Sequence, residues 1–401
     1  MNIQLSRSEF LQVLLGTVTG ISSAANFQPT ELLSIQFMKE RRAATLKYVD
    51  SMRSINEPYG CYRYSSEVTE TTLYSSTYAA MTRSLYRDLD TLTLGQRQEW
   101  IAYFQSHQDE DGLFRDPKIF GQGWYKNDPE WCGRRHLSCH VVTALTCLGA
   151  VALKPMAWLE PFYEPSHLIS WLEKRDWNKV DFVGNEVLNL GTLLQYARDF
   201  QKETRAAEAV RVLIEWLAQH HLAPESGLWG TYDLGTGTGL SRGVMGAYHL
   251  WLLFFYDRVI VPQFESAVEQ VLRTQNETDR GFGQGVHGPR SSACEDIDSI
   301  DPLARLLSAS HRKIDIRNAL LRAEDHVWAQ QNEDGGFTWI RGTKFVYGHP
   351  LLSAPMDGSG MFPTWFRTLS LAYLGKALPE SRTGAFDWHF ANCPGIQFFL
   401  P

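Results

Sequence analysis

QDEDGLF, at Gln108–Phe114, and QNEDGGF, at Gln331–Phe337, are two copies of one motif: a glutamine, a polar turn, a glycine and an aromatic residue. A third copy, QNETDRGFG, lies at Gln275–Gly283. Weaker copies keep part of this order at Gln219–Gly230 and Asn56–Tyr64, and a sixth is expected at Trp171–Glu186, where the glycine is missing. Recurrence of one motif along a chain indicates a repeat architecture.

Each clear copy lies between two apolar helical stretches, the first leading to the glutamine and the second following after a loop. A spacing of about 50 to 65 residues is enough for one helical hairpin per repeat. Because a single hairpin cannot bury its apolar face alone, neighbours must stack, and six of them can close into a ring. The sequence therefore predicts an all-α fold, a single (α/α)6 toroid with little β-structure.

The repeats account for nearly the whole chain, so we predict one toroid domain over residues 1–401. Its parts are an N-terminal helical segment at 1–45, repeats at roughly 46–95, 96–155, 156–205, 206–260, 261–315 and 316–380, and a C-terminal tail at 381–401. In each turn the glycine lets the backbone bend sharply, and the glutamine can satisfy backbone groups at a helix end.

The composition excludes several classes of function. Hydrophobic residues at 44% and charged residues at 21% are typical of a globular chain with a large core. A net charge of -7 argues against nucleic acid as a partner, because phosphate binding needs clustered Lys and Arg. Six cysteines without a CxxC pair favour reduced thiols and a cytoplasmic location. Ser6–Gln12 resembles part of a twin-arginine export signal, but Ser8 replaces the second arginine, which favours a short amphipathic segment.

The most charge-dense segment outside the repeat turns is CEDIDSID, at Cys294–Asp301. It follows the turn that begins at Gln275 and precedes Pro302, which places it at the N-terminus of an inner helix, facing one mouth of the ring. Acidic residues at this position can act simply as helix caps that complement the macrodipole. They can also form an acid site, so both interpretations stay open at this point.

The repeat turns resemble the Q-x-x-x-G-x-W/F motifs of squalene and oxidosqualene cyclases and related class II terpene cyclases. The segment DIDS, at Asp296–Ser299, resembles their D-x-D-D acid motif, with serine in the last position. The resemblance implies that Asp298 donates a proton and that Asp296 is its hydrogen-bonding neighbour, and the choice of donor between the two stays open. The supporting residues of this acid site would be Glu295, Ser299 and Cys294.

The resemblance also implies an activity. A class II terpene (meroterpenoid) cyclase protonates the terminal alkene or epoxide of a long prenyl chain, here attached to an aromatic acid, and guides a carbocation cascade to a polycyclic product. The expected partner is a hydrophobic prenylated small molecule, which is compatible with peripheral membrane contact. No cofactor is expected, and no metal, because the chain has no Asp-Asp pair for a Mg²⁺–diphosphate site. Candidates to meet a substrate carboxylate are Arg63, Arg134, Arg135 and Arg290.

Such chemistry needs a carboxyl group that keeps its proton, which burial and neighbouring negative charge achieve by raising the pKa. It also needs a dry cavity with aromatic faces, because a desolvated cation over a ring gains about 2 kcal/mol or more. Aromatic residues predicted on inner helices or at their mouths, and so to bind substrate, are Tyr74, Tyr78, Tyr232, Tyr248, Trp251, Phe337, Trp339, Phe362 and Trp365.

Three other interpretations compete with the cyclase. A zinc-dependent toroid enzyme, similar to prenyltransferases or lanthipeptide cyclases, would use Cys132, His136 and His140, although residue 132 is expected to lie in a loop. An α/α-barrel carbohydrate lyase or hydrolase would use Asp296 and Asp298 as paired carboxylates. A non-enzymatic toroid would bind a hydrophobic ligand or a partner protein, with the acidic cluster as a helix cap.

Overall fold

Twelve α-helices alternate between an outer and an inner position in the part of the chain that the computed structural model describes, residues 29–121 and 128–399. The outer helices are α1 (Pro29–Ser51), α3 (Leu94–Gln105), α5 (Pro165–Glu173), α7 (Arg205–Gln219), α9 (Phe264–Arg273) and α11 (Lys313–Ala329). The inner helices are α2 (Leu73–Leu85), α4 (Leu137–Cys147), α6 (Val180–Asp199), α8 (Gly237–Tyr256), α10 (Ala293–Leu306) and α12 (Met361–Ala377). The export-like stretch predicted at Ser6–Gln12 lies outside the described residues.

The inner helices form a closed ring, because each packs on the next in order and α12 packs back on α2. Every residue of α2 is buried, as expected for a helix with protein on all sides. The predicted all-α toroid is therefore confirmed. Helix α1 runs through the boundary predicted at residue 46 and supplies the outer helix of the first hairpin. None of the described helices is long and apolar enough to cross a membrane.

The named β-strands of the described residues form three short antiparallel ribbons between outer and inner helices, and isolated β-bridges occur within the repeat turns, as between Gln331 and Phe337. The ribbons are β1 (Tyr62–Arg63) with β2 (Thr71–Thr72), β3 (Leu222–Ala223) with β4 (Leu228–Trp229), and β5 (Phe345–Val346) with β6 (Ser353–Ala354). Short 3-10 helices lie at Leu89–Thr91, Ala157–Tyr163, Trp177–Lys179, Pro350–Leu352 and Thr383–Ala385, and a π-helical segment at Trp131–His136 leads into α4.

In the last repeat, the glutamine of the motif ties its own turn to the first outer helix. The Gln331 amide donates to the Gly335 carbonyl at 3.0 Å and to the Thr45 hydroxyl of α1 at 2.9 Å, which joins the last outer helix to the first. Gly335 has φ +92°, and a Cβ there would lie 2.1 Å from the Ala44 carbonyl oxygen. Glycine is therefore required at this turn both by its conformation and by the close approach of α1.

The aromatic residue of the motif sets the register of the inner helix that follows. In four repeats its backbone N–H donates to a side-chain oxygen in the first turns of that helix, at a position we call the anchor. The pairs are Tyr62 with Ser76 (3.1 Å), Phe114 with Ser138 (2.8 Å), Phe282 with Asp296 (2.8 Å) and Phe337 with Thr364 (3.0 Å). The anchor side chain points to the turn, so residues two before and two after it share the opposite face of the helix.

Those two positions place one layer of side chains above another at the centre of the ring. The upper layer, two residues before each anchor, is Tyr74, His136, Cys294 and Phe362. The lower layer, two residues after each anchor, is Tyr78, His140, Asp298 and Phe366. The repeat motif therefore determines which side chains of these four inner helices meet at the ring centre.

Candidate active site

A cavity of about 230 Å³ lies at the ring centre, toward the N-terminal ends of the inner helices. Its lining is Trp131, Cys132, His136, Asp181, Phe182, Asn185, Met245, Tyr248, His249, Cys294, Asp298, Tyr347, Phe362, Phe366 and Ile396. We call it the acid cavity, because Asp298 lies in its wall. A larger groove of about 710 Å³ lies at the opposite, C-terminal ends of α8, α10 and α12, and its lining contains no carboxylate.

Asp298 has the environment of a carboxyl group that keeps its proton. Its exposed fraction is 4%, and it accepts no hydrogen bond from any residue that the structure describes. Burial, and then the negative charges of Glu295 and Asp301, raise its pKa well above the usual value for aspartate. A buried carboxyl without a counter-ion disfavours ionisation, so Asp298 presents an acidic O–H to an aromatic cavity.

Asp296 has the opposite environment. It is fully buried and accepts the Phe282 N–H at 2.8 Å and the Ser291 hydroxyl at 3.2 Å. Its Oδ2 also lies 3.1 Å from His326 Nε2 and accepts a hydrogen bond from Arg367. Asp296 is therefore paired with a buried guanidinium and bonded to several donors.

The resemblance implied a hydrogen bond between the two aspartates, and none joins them among the described residues. The reason is helical geometry, because residues two apart on an α-helix point to nearly opposite sides. Asp296 occupies the anchor and faces the turn, whereas Asp298 faces the ring centre.

Helix capping, the alternative interpretation of the acidic cluster, applies to Glu295. The Ser292 hydroxyl accepts the Glu295 N–H at 3.2 Å, and the Glu295 carboxylate accepts the Ser292 N–H at 2.9 Å, which forms a capping box. Of the other supporting residues, Ser299 lies 3.4 Å from the Thr274 hydroxyl, and Cys294 lies in the cavity wall. The cluster therefore contains a cap, an anchor and a cavity-facing acid.

Five of the nine predicted aromatic residues lie at or directly behind the cavity wall. Tyr248 and Phe362 line the acid cavity. Tyr78 packs behind Phe362 and Trp365, with ring centroids 5.2 and 5.3 Å apart. Tyr74 donates its hydroxyl to the Cys132 carbonyl and lies 2.8 Å from His136 Nδ1. Trp365 lines a small void of about 20 Å³ beneath the cavity.

The other four predicted aromatic residues lie outside the lining. Trp339 stacks on Phe362 at 5.6 Å, above the ring, and Tyr232 donates a hydrogen bond to the Asp181 carboxylate at 3.4 Å. Trp251 is buried in the wall of α8, and Phe337, the aromatic residue of its repeat turn, packs near the outer helix α11.

Several lining residues were missed by the sequence prediction, namely Trp131, Asp181, Phe182, Asn185, Met245, His249, Tyr347, Phe366 and Ile396. Phe366 follows from the anchor register, because it lies two residues after Thr364. Phe182 and Asn185 lie on α6, in the repeat that lacks the turn glycine, so no motif indicated their register. Ile396 lies in the C-terminal tail, outside all six repeats.

The residues of the zinc alternative lie on one continuous helical stretch, because Cys132 belongs to the π-helical segment rather than to a loop. His136 Nε2 lies 3.3 Å from His140 Nε2. Burial lowers the pKa of His136 to about 3 and that of His249 to about 4, so both imidazoles are neutral at neutral pH. Within residues 29–121 and 128–399, no three or more His, Cys, Asp or Glu side chains are grouped to hold a metal ion.

None of the four arginines suggested for a substrate carboxylate lines the cavity. Arg134 pairs with Asp111 at 2.8 Å and Glu130 at 3.0 Å. The other three lie near protein acceptors: Arg135 is 3.9 Å from Glu186, Arg63 donates to the Ser51 carbonyl, and Arg290 to the Arg341 carbonyl.

No protein-family model and no curated protein sequence matches this chain. Among solved structures, one similar fold is a variant of the type II terpene cyclase MstE from Scytonema in complex with geranylgeranyl dihydroxybenzoate (13% identity, 87% of this chain, 99% of that chain, TM-score 0.46). Others are a glycosidase (11%, 87%, 99%, 0.49) and a D-mannose isomerase (13%, 87%, 99%, 0.48). These likenesses concern the fold alone, because one fold hosts many unrelated activities.

Proposed function

We propose that this protein is a protonation-initiated, class II-type terpene cyclase in which Asp298 is the general acid. The observation that carries the proposal is the state of Asp298, a buried carboxyl with a raised pKa and no hydrogen-bond partner among the described residues, in a cavity walled by aromatic rings. An alkene carbon is a very weak base, so the acid must keep its proton until the substrate binds and then deliver it directly to the carbon in a site that excludes water.

The proposed reaction begins with transfer of the Asp298 proton to the substrate. The Asp298 O–H bond breaks, a C–H bond forms at the less substituted alkene carbon, and a tertiary cation remains on the neighbouring carbon. The next double bond attacks that cation and closes a ring. The rings of Tyr248, Phe362 and Phe366 line the same cavity as Asp298, and aromatic faces of this kind stabilise a desolvated cation.

The cascade ends when the last cation loses a proton, and a proton from solvent restores the Asp298 O–H bond before the next turnover. His136 and His249 line the same cavity as Asp298, and burial lowers both pKa values, so their imidazoles are neutral and able to accept a proton. The cavity therefore holds a protonated acid and neutral bases, an arrangement that suits an overall isomerisation without a cofactor.

We further propose a hydrophobic prenylated small molecule as substrate, with an aromatic acid as its head group.

The hydrolase alternative needs a second free carboxylate opposite Asp298. Asp296 faces away from the cavity, and Asp181, which lines it, accepts hydrogen bonds from Arg242 at 2.9 Å and Tyr232 at 3.4 Å. The environment of these carboxylates favours the cyclase.

An isotope experiment tests the reaction type. The purified protein is incubated in D₂O with excess EDTA and with prenylated dihydroxybenzoates of two, three and four isoprene units. We expect cyclic products of unchanged hydrogen count that carry one deuterium on the ring carbon next to the gem-dimethyl group. Products without that deuterium, or turnover that requires added Mg²⁺ or Zn²⁺, would contradict protonation by Asp298.

A further inference from the structure

The C-terminal segment, residues 386–399, enters the ring from the end opposite the acid cavity. The His389 N–H donates to the carbonyl of Leu85, the last residue of α2, at 3.1 Å. Further along, the Phe398 carbonyl accepts from Arg305 at 2.6 Å and from the Tyr373 hydroxyl at 2.9 Å, near the C-terminal ends of α10 and α12. Phe398 is fully buried, so this segment closes the far end of the ring.

Gln397 holds the innermost part of the segment in place. Its side-chain oxygen accepts the Trp365 indole N–H at 2.7 Å, and its amide donates to the Met81 carbonyl at 3.1 Å. The side chain is fully buried, and Gly395, with φ +117°, provides the bend that precedes it. Two inner helices, α2 and α12, therefore grip this point of the segment through directed hydrogen bonds.

Ile396 lies between these contacts and the acid cavity. It lines the cavity of about 230 Å³ together with Asp298 and Tyr248, and it also lines the void of about 20 Å³ beneath. The remaining walls of that void include Thr143 and Leu188, so the space continues below the Ile396 side chain. Ile396 is thus part of the floor of the acid cavity.

The volume above that floor is small. Pockets that bury drug-sized ligands measure about 300 to 1,000 Å³, and the acid cavity lies below that range. A prenyl chain whose terminal alkene reaches Asp298 also meets the floor, because Asp298 and Ile396 line the same cavity. Its permitted length therefore depends on the side chain that forms the floor.

We infer that Ile396 is a specificity-determining residue that limits the length of the prenyl chain and favours shorter chains over longer ones. This inference rests on the proposed function. Shortening the Ile396 side chain joins the acid cavity to the void and allows a longer prenyl chain to bind. A larger side chain at this position makes the cavity shallower. The hydrogen bonds of Gln397 and Phe398 keep the backbone in place in both cases.

Binding in the absence of turnover tests the inference. Dissociation constants for geraniol, farnesol and geranylgeraniol are measured by quenching of tryptophan fluorescence, since Trp131 and Trp365 lie at the cavity and the void. The proteins are Asp298→Asn alone and Asp298→Asn combined with Ile396→Ala, Ile396→Val or Ile396→Phe. Ile314→Ala, at a position 76% exposed on the outer helix α11, is the matched control.

We expect Ile396→Ala to improve the affinity for the longest alcohol relative to the shortest by about tenfold or more, the usual effect of one or a few methylenes in an apolar pocket. Ile396→Val should give a smaller change in the same direction, Ile396→Phe the opposite change, and Ile314→Ala none. Binding with the same length preference in all folded Ile396 variants would overturn this inference and leave the proposed function intact. Failure of every variant to bind any of the alcohols would overturn both.

Discussion

Helices α10 and α12 begin with the same local architecture, but they place side chains of different chemical type at the ring centre. Each follows a strong copy of the turn motif, and each anchor accepts the N–H of the motif phenylalanine, through Asp296 in α10 and Thr364 in α12. Two residues later, α10 places Asp298 at the ring centre, whereas α12 places Phe366. The comparison shows that the anchor determines the register of the inner helix. The residue two places later can differ in chemical type from one repeat to the next.

The same comparison separates the two aspartates of the acidic cluster. A threonine fills the anchor of α12 and serines fill those of α2 and α4, so a carboxylate is not required to bind the turn. In α10 the anchor carboxylate additionally pairs with Arg367. Asp296 therefore stabilises the fold, and Asp298 is the group that distinguishes α10 from its sister helices.

The largest expected effect is on turnover. Asp298→Asn keeps the volume of the side chain and removes the acidic proton, so turnover should fall by about 10² to 10⁴, the range typical of a general acid. Product formation by the purified protein, with circular dichroism as a folding control, measures this. Normal turnover of the variant would mean that α10 and α12 do not differ in chemistry.

The second effect is on stability. Asp296→Asn leaves the Arg367 charge buried and unpaired, and loss of one partner of a buried ion pair costs about 3 to 5 kcal/mol. Chemical denaturation measures the free energy of unfolding, and turnover per folded molecule should stay within a few-fold of the unmodified protein. If Asp296→Asn abolishes turnover at full stability, Asp296 rather than Asp298 is the reactive group.

The third effect concerns the turns. Gln331→Ala removes the bonds that join α11 to α1, and loss of buried hydrogen bonds costs about 1 to 3 kcal/mol. Gln219→Ala changes the same residue type in a weak copy, where the side chain is exposed, and should cost less than about 0.5 kcal/mol. Equal losses in thermal or chemical denaturation would show that strong and weak copies do not differ.

The smallest effect, taken per unit of pH, is on the pH dependence of stability. Because the folded protein raises the pKa of Asp298 above the unfolded value near ~3.9, the folded state binds more protons between these two pKa values, and stability falls as pH rises. Asp298→Asn removes this loss. The stability difference between variant and unmodified protein should therefore be flat below about pH 4 and should grow by up to about 1.4 kcal/mol per pH unit above it. A difference independent of pH would mean that Asp298 is ionised.

The toroid could be predicted from the sequence because it follows from a repeated local motif, and Asp298 could be proposed from the resemblance of Asp296–Ser299 to an acid motif, with Asp296 left as the alternative. The contacts of Asp296 could not, since Arg367 and His326 lie 71 and 30 residues away and no period relates them to α10. Phe182 and Ile396 were missed for the same reason, because they lie in a degenerate repeat and in the tail. The periodic motif predicts the ring of helices. The residues that come from the degenerate repeat and from the C-terminal tail depend on tertiary packing that the motif does not specify.

Closure of the ring by contacts between its first and last helices has a consequence for folding during translation. Arg41 of α1 donates to Gln331, 290 residues later. At about 5 to 20 residues per second, a ribosome needs about 15 to 60 s to synthesise that interval. During this time the open edge of α1 and α2 lacks the helices that will cover it. We expect the nascent chain to pass through a long-lived open crescent, and chaperone demand should be greatest just before α12 leaves the ribosome.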